Sequence, residues 1–295
     1  MRILHLLVLA LTGLLGAAPA WSEESPVRPG KAEPSQNIGV MSYNIKTLAL
    51  SLGVNNWWLR RGPQAEMIRG YGPDLIGMQE VYTLQAHDLA KRLPGYAWFG
   101  LPRADGKRRG ERCPIFFRQD RLELLDQATF WLSETPDRPG PRAWGTACRR
   151  VVTWGKFRDK QTGKTFFLFN THFDHVSALA REKSAELLVE RIRQIAGDSP
   201  VLVTGDFNTT DTTAPYRTMT ARLRDARLVS AALPDGPEGT FAALQIGPIQ
   251  ERIDFIFVSP DLAVHRYQVI ADAASRGRRP SDHLPVLVSA SVAGR

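Results

Sequence analysis

Apolar, strand-like runs in this chain lead into short polar signatures, and that pattern constrains the fold more than any other feature. The signatures are Met41-Ser-Tyr-Asn44, Gly77-Met-Gln-Glu80, Gly205-Asp-Phe-Asn208 and Ser281-Asp-His-Leu-Pro285. Ile76 and the run Val201-Leu-Val203 are residues of the kind that build buried strands. In an open α/β sheet, side chains delivered to strand ends converge where ligands bind. Carboxylates, amides and imidazole at one point suit Mg²⁺ and a phosphoryl group, and they do not suit a thiolate or haem site.

Strand-like and helix-like segments alternate along the chain. Strands are expected at Ile38 to Ile45, Asp74 to Val81, Pro114 to Arg118, Leu122 to Leu132, Val151 to Arg158 and Thr165 to Asn170. Three more follow at Ile253 to Val258, Val264 to Ile270 and Val286 to Val292. Pro63 to Tyr71 and Thr83 to Leu93 read as helices. The clearest helix is Ser177 to Ala196, where Leu187, Leu188, Ile192 and Ile195 recur at helical spacing and Gly197 stops it. Both halves mix helices with strands, which predicts two packed sheets with helices outside.

The formal net charge of +8 favours anionic partners such as nucleic acid, phospholipid headgroups or phosphorylated small molecules, without choosing among them. At the N-terminus, Arg2, an apolar stretch from Leu6 to about Ala18, and Ala18-Pro-Ala20 have the parts of a cleaved signal peptide over residues 1–20. The apolar stretch is short for a membrane span, which needs roughly 20 residues. No later segment is long and apolar enough to cross a bilayer. The expectation is a secreted or periplasmic protein with a polar, Pro-rich leader over 21–37 and one domain over 38–293. In that compartment Cys113 and Cys148 can persist as a disulfide, the favoured reading over two small buried hydrophobes.

Asn44, Gln79-Glu80, Thr171-His-Phe-Asp174, Gly205-Asp-Phe-Asn208, Ile253-Asp254 and Ser281-Asp-His283 occur in an order that resembles the endonuclease/exonuclease/phosphatase superfamily. Gly-Asp-Phe-Asn alone is a weak signal; six motifs in order across 38–293 are a strong one. The resemblance implies a four-layer α/β/β/α sandwich carrying a divalent-metal phosphoesterase. It makes Glu80 the principal ligand of Mg²⁺ or Mn²⁺, with Asn44 beside it and Asp282 as a further ligand or a supporting carboxylate. Asp206 resembles the aspartate that orients or activates water, and Asn208 the amide that holds a phosphoryl oxygen. Asp254 is the implied partner of His283, and His172 the implied donor to a phosphoryl oxygen. Arg150 aligns with an arginine that steadies substrate phosphate.

Each of these residues also has a plainer reading. Glu80 could sit at a helix N-terminus, Asp206 and Asn208 in an Asx-turn, and Asp254 on a strand edge as a gatekeeper. A Zn²⁺ site from His172, Asp174 and His175 is disfavoured, because alternate strand residues face opposite sides. Arg103, Lys107, Arg108, Arg109 and Arg112 form one basic cluster, and Arg276, Arg278 and Arg279 a second beside Asp282. Trp57 and Trp58 could stack on a base or sugar, touch lipid, or pack. The expected activity is hydrolysis of an anionic phosphate ester by a monomer. A nuclease-like diester is the first choice, followed by a monoester, lipid or sugar phosphate, and then an inactive binding protein on the same fold.

Overall fold

The computed structural model describes residues 36–49, 53, 56–242, 248–249, 251–271 and 279–293. The expected signal peptide, nearly all of the leader, and Arg276 and Arg278 lie outside the described residues.

Strand alternation builds the layers. In β1 (Ile38–Asn44), Val40 points into one core and Met41 into another. The same split occurs between Leu75 and Ile76 of β2 (Leu75–Gln79) and between Phe117 and Phe116 of β4 (Ile115–Arg118). In the second half, Phe166 and Leu168 of β7 (Thr165–His172) face inward, while Phe167 and Phe169 face outward. Leu202 faces inward and Val201 and Val203 outward on β8 (Val201–Asp206). A period of two buried on both faces makes a strand sandwiched between layers.

The inward side chains of both halves form one shared core. The outward set of the first half packs under α1 (Trp57–Tyr71) and α2 (Thr83–Arg92). That of the second half packs under α3 (Ala178–Ala196) and α4 (Ala214–Thr220). The remaining strands are β3 (Tyr96–Phe99), β5 (Leu122–Trp131), β6 (Val151–Asp159), β9 (Arg224–Asp225), β10 (Asp254–Val258), β11 (Leu262–Val269) and β12 (Val286–Val292). The sheet orders are β11-β12-β1-β2-β4-β3 and β5-β6-β7-β8-β10-β9. Each sheet is mixed, because β1–β2 and β7–β8 are parallel among otherwise antiparallel neighbours. The result is the expected four-layer α/β/β/α sandwich.

Two departures have physical causes. Helix α1 begins at Trp57 rather than Pro63, although proline favours a first turn and disfavours an interior. Its first turns are anchored by buried Trp57, whose indole N–H donates to Asp88 Oδ2 at 3.1 Å, and by buried Arg60. Short β3 and β9 and the helix α4 were not anticipated, since four, two and seven residues carry almost no periodic signal.

Gly77 marks a close approach of the two sheets. A Cβ there would lie 2.0 Å from Thr204 Oγ1 and 2.6 Å from Asn170 Oδ1. Asn170 uses the space to bridge the layers, donating to Met78 O and Pro114 O while accepting from Gln79 Nε2 at 2.7 Å. Such a fully bonded buried amide is directional in a way apolar contact is not.

Candidate active site

Register carries the motif residues to one end of the sandwich. Asn44 lies opposite Gln79 at the close of β1 and β2, which places Glu80 next. His172 lies opposite Asp206 across the parallel β7–β8 pair, and Asp254 opposite Asp206 across the antiparallel β8–β10 pair. His283 comes just before β12, whose Val286 pairs with Ser42 of β1. Chain order therefore scatters these residues and strand pairing gathers them.

Asp206 is the hub. Its Oδ2 accepts from Asn44 Nδ2 at 2.9 Å and lies 3.3 Å from His172 Nε2 and 3.7 Å from His283 Nε2. Its Oδ1 accepts from Asn208 N at 2.9 Å. Burial pushes its carboxyl up to about 7, against the pull of the His283 charge. His283 Nδ1 lies 2.8 Å from Asp254 Oδ2. Burial alone would lower the His283 pKa, but the charges of Asp254 and Asp206 raise it to about 10. His172 shows the opposite behaviour: burial and the nearby Arg150 and Arg103 charges hold it well below the usual histidine value. The ring lies 2.9 Å from Asn208 Nδ2 through its Nε2.

The carboxylate side is more open. Glu80 Oε2 accepts from Thr47 N at 2.7 Å, and Oε1 from Asn44 Nδ2 at 3.3 Å, so Asn44 links carboxylates from the two sheets. Asp282 pairs with Lys46, and Glu111 with Arg103 at 2.8 Å. Glu111 also accepts from Thr47 Oγ1 at 3.0 Å. Lys46, Glu80 and Asn208 all have positive φ (60°, 63° and 48°) although none is glycine. Backbone held in this region costs of order 1–3 kcal/mol per residue and clusters at functional sites.

Among the described residues, one group of histidine, cysteine and acidic side chains offers donor atoms close enough to share an ion. These are Asp206, Asp254 and His283, within 4.8 Å of one another. The His283–Asp254 contact marks this trio as a proton-carrying pair facing a carboxylate, since an imidazolium does not ligate metal. The carboxylate oxygens of Glu80 and Asp206, bridged by Asn44 Nδ2, are the better match to a hard cation. Asp254 Oδ1, buried without a partner, leaves one carboxylate oxygen without a donor. The donor set fits Mg²⁺ or Mn²⁺.

Several sequence expectations change in detail. Asp174 is tied to support: it accepts from Ala147, Cys148, Val176 and Ser177 N–H groups and meets Arg150 Nε at 3.4 Å. Burial would raise its carboxyl, but those bonds hold it down at about 2, so the Zn²⁺ alternative has no free carboxylate. The expected disulfide is not formed. Cys113 is buried against Trp131 and Val151, with its thiol pushed up to about 12 by burial, while Cys148 is a half-buried free thiol on the loop held by Asp174. Of the first basic cluster, Arg103 and Arg112 are bonded into the structure and Lys107, Arg108 and Arg109 remain exposed. Of the second, Arg279 is only 8% exposed. Trp57 packs (0% exposed), whereas Trp58 is 54% exposed with the Arg61 guanidinium 4.4 Å from its ring centre.

Sequence reasoning missed Lys46, Thr47, Glu111 and Arg60. Arg60 Nη1 donates to Ile45 O and Pro280 O, and its Nη2 to Lys46 O and Thr47 O. Gln64 Nε2 bonds Ile45 O and Pro280 O again. Together they staple the loop carrying Lys46 to the one carrying Asp282. The doublet Arg60-Arg61 within an otherwise unremarkable helix was the available signal, and burial alone distinguishes its members.

The family sequence model described as Endonuclease/Exonuclease/phosphatase family matches residues 41–283, from the first motif to the last histidine. The chain belongs to this family. A Bacteroides vulgatus endonuclease/exonuclease/phosphatase has a similar structure, with a TM-score of 0.82 and 39% identity, covering 87% of this chain and 99% of that one. A Bacteroides thetaiotaomicron mannosyl-6-phosphatase is similar at a TM-score of 0.80 and 35% identity, covering 86% and 99%. The uncharacterized protein L388 of Acanthamoeba polyphaga mimivirus is 33% identical over 169 residues, so the match spans 61% of its length and 54% of this chain. No described helix of this family member is long and apolar enough to cross a membrane.

Proposed function

We propose that this family member is a divalent-metal-dependent phosphoester hydrolase. The observation that carries the reading is Asp206, held between a cationic histidine and a neutral one and joined to Glu80 through Asn44. A carboxylate titrating near 7 is matched to taking a proton from water at neutral pH. Asp254 fixes the His283 ring, whose other nitrogen faces Asp206 and the reacting group. Neutral His172 and the side-chain amide of Asn208 border the place of a non-bridging oxygen. Glu80, with Asn44 beside it, would hold Mg²⁺ or Mn²⁺, which when bound would supply charge stabilisation at the phosphoryl oxygens.

The first choice of a nucleic-acid diester rests on the net positive charge and on Arg276, Arg278 and Arg279 beside Asp282; Arg279 is buried, and the other two lie outside the described residues. The mannosyl-6-phosphatase likeness favours a small phosphorylated substrate. Export through the segment ending at Ala20 belongs to the same proposal. The N-terminal sequence of protein recovered outside the cytoplasm checks it, and Met1 retained there would reject it.

Purified protein should hydrolyse phosphate esters with Mg²⁺ or Mn²⁺, lose that activity after EDTA and regain it on adding metal. Full turnover after exhaustive chelation would reject metal dependence. Hydrolysis of none of plasmid DNA, RNA, sphingomyelin or simple phosphate esters would favour a binding protein on this fold.

A further inference from the structure

Large apolar side chains left in water are gathered at one end of the sandwich. β1, β2 and β8 end at the site, and pairing gives β3, β5 and β7 the same direction. The starts of α1, α2 and α3, and the loops after β3 and β5, therefore lie at the site end. Six of the eight large apolar side chains exposed among the described residues are there: Trp58, Leu59, Leu84, Leu101, Val176 and Leu179. The other two, Leu228 and Leu233, follow β9. A single exposed leucine needs no explanation, but a gathering at one end marks an interaction surface. Trp58 and Leu84 border one seam. The Arg61 guanidinium lies 4.4 Å from the Trp58 ring centre and 3.3 Å from Asp88, one turn after Leu84.

Exposed cations share this end. Between β3 and β4, Lys107, Arg108 and Arg109 stand on a finger that Asp105 braces, its carboxylate accepting from all three backbone N–H groups at 2.9 Å. The base of the finger is tied to the start of α2, where Arg112 Nη2 donates to Thr83 Oγ1 at 2.9 Å, next to Leu84. Arg138 and Arg142 are exposed on the loop after β5. None of these five exposed side chains has an ion-pair partner among the described residues. The exposed acids Asp137, Asp211 and Glu238, by contrast, are paired with Arg191, Arg252 and Arg227. Glu134 and Glu251 are exposed without such a partner, which leaves the loops at this end net positive.

We propose that the site end docks on an anionic lipid bilayer, with the mouth of the site turned toward the surface. A protein that lies on a bilayer sets tryptophan and leucine into the headgroup boundary and its cations against anionic headgroups. Both kinds of side chain are supplied here together. Nucleic acid would use the cations and stack on Trp58, but it would leave the leucines without a role. A second copy meeting this end across a two-fold axis would press a net positive surface against itself. The proposal concerns how the site is presented and does not depend on the hydrolase reading.

The test sediments the full chain with phosphatidylcholine vesicles, with and without phosphatidylglycerol. Any binding through residues 6–18 is common to wild type and variants. Wild type should bind the anionic vesicles better than the neutral ones, and less well as salt is added. The triple variant Lys107→Ser, Arg108→Ser, Arg109→Ser should weaken anionic binding about ten- to hundredfold, since each cation near such a surface contributes about fivefold. Trp58→Ser with Leu84→Ser should weaken it at high salt as well, where the apolar contribution remains. Vesicles with brominated acyl chains should quench wild-type tryptophan fluorescence more than that of Trp58→Phe, a substitution mild enough to serve if the serine variants do not fold. Equal quenching in wild type and Trp58→Phe would overturn the docking surface, as would serine variants that bind anionic vesicles as tightly as wild type. A single-stranded oligonucleotide that displaces the protein from the vesicles and binds it more tightly would overturn it in favour of nucleic acid.

Discussion

Two histidines flank Asp206 at nearly equal burial, 6% exposed for His172 and 7% for His283, yet one is neutral and the other charged. His283 faces Asp254 and Asp206, and their charges outweigh the cost of burying a cation. His172 faces Arg150 and Arg103, and they reinforce that cost. Burial therefore does not decide what a buried imidazole does; its ionic neighbours do. The protein thereby keeps a proton-carrying ring and a neutral ring about one side chain apart, on opposite flanks of the carboxylate that titrates between them.

The largest test removes the charged flank. His283→Ala should cost about 10²–10⁴ in turnover under saturating metal, the usual range for a general acid–base group. Asp254→Asn should cost less than loss of the ring but remain severe, because the ring loses its orienting carboxylate. Steady-state rates on both variants measure this, and near-normal turnover in His283→Ala would collapse the distinction between the flanks.

The neutral flank should behave differently. His172→Gln keeps a hydrogen-bonding group and should cost about tenfold or less, in line with a net 0.5–1.5 kcal/mol for one neutral hydrogen bond. Its pH–rate profile between pH 6 and 8 should keep the wild-type shape, since a ring that is already neutral there contributes no ionisation. A lost limb in that profile would mean that His172 titrates in turnover.

Stability offers a subtler contrast. The His283 pKa is raised from 6.5 to about 10, so its contribution to folding is complete below pH 6.5 and vanishes as pH rises through about 10. Denaturant unfolding of the metal-free protein should show the wild type losing its advantage over His283→Gln across that window. A constant gap from pH 6 to 10 would contradict the charged assignment. The smallest effect expected is on His172 itself: Arg103→Gln removes one cation beside the ring, and its pKa, followed by NMR, should rise.

The sequence makes the fold legible wherever burial follows a simple period. Strands such as β7 and β8, apolar on both faces, stand out, and α3 shows its spacing openly. The edge strand β3 and the first turns of α1 do not, because half-buried Tyr96–Phe99 lack alternation and Pro63 masks the helix start. Motif order yields Glu80, Asp206, Asp254 and His283, since their residue types and strand-end positions are local facts. Thr47 and Glu111 are invisible for the opposite reason. They matter only because a loop after β1 meets a loop before β4, and no spacing in the chain announces that meeting. The disulfide expectation failed similarly: composition and compartment favour pairing, but the two thiols occupy different environments.

The pairing of β1 with β12 bears on when the candidate site can form. Ser281 Oγ donates to Asn44 O at 2.6 Å although 237 positions separate them, and the Arg60 staple closes on Pro280. A chain made from its N-terminus has Asn44 and Glu80 early but cannot assemble the cluster around Asp206 until His283 and β12 have emerged. Contacts of such sequence separation form slowly. The candidate site is therefore incomplete until residues 280–292 have been made, and it comes together in a late step when β12 pairs with β1.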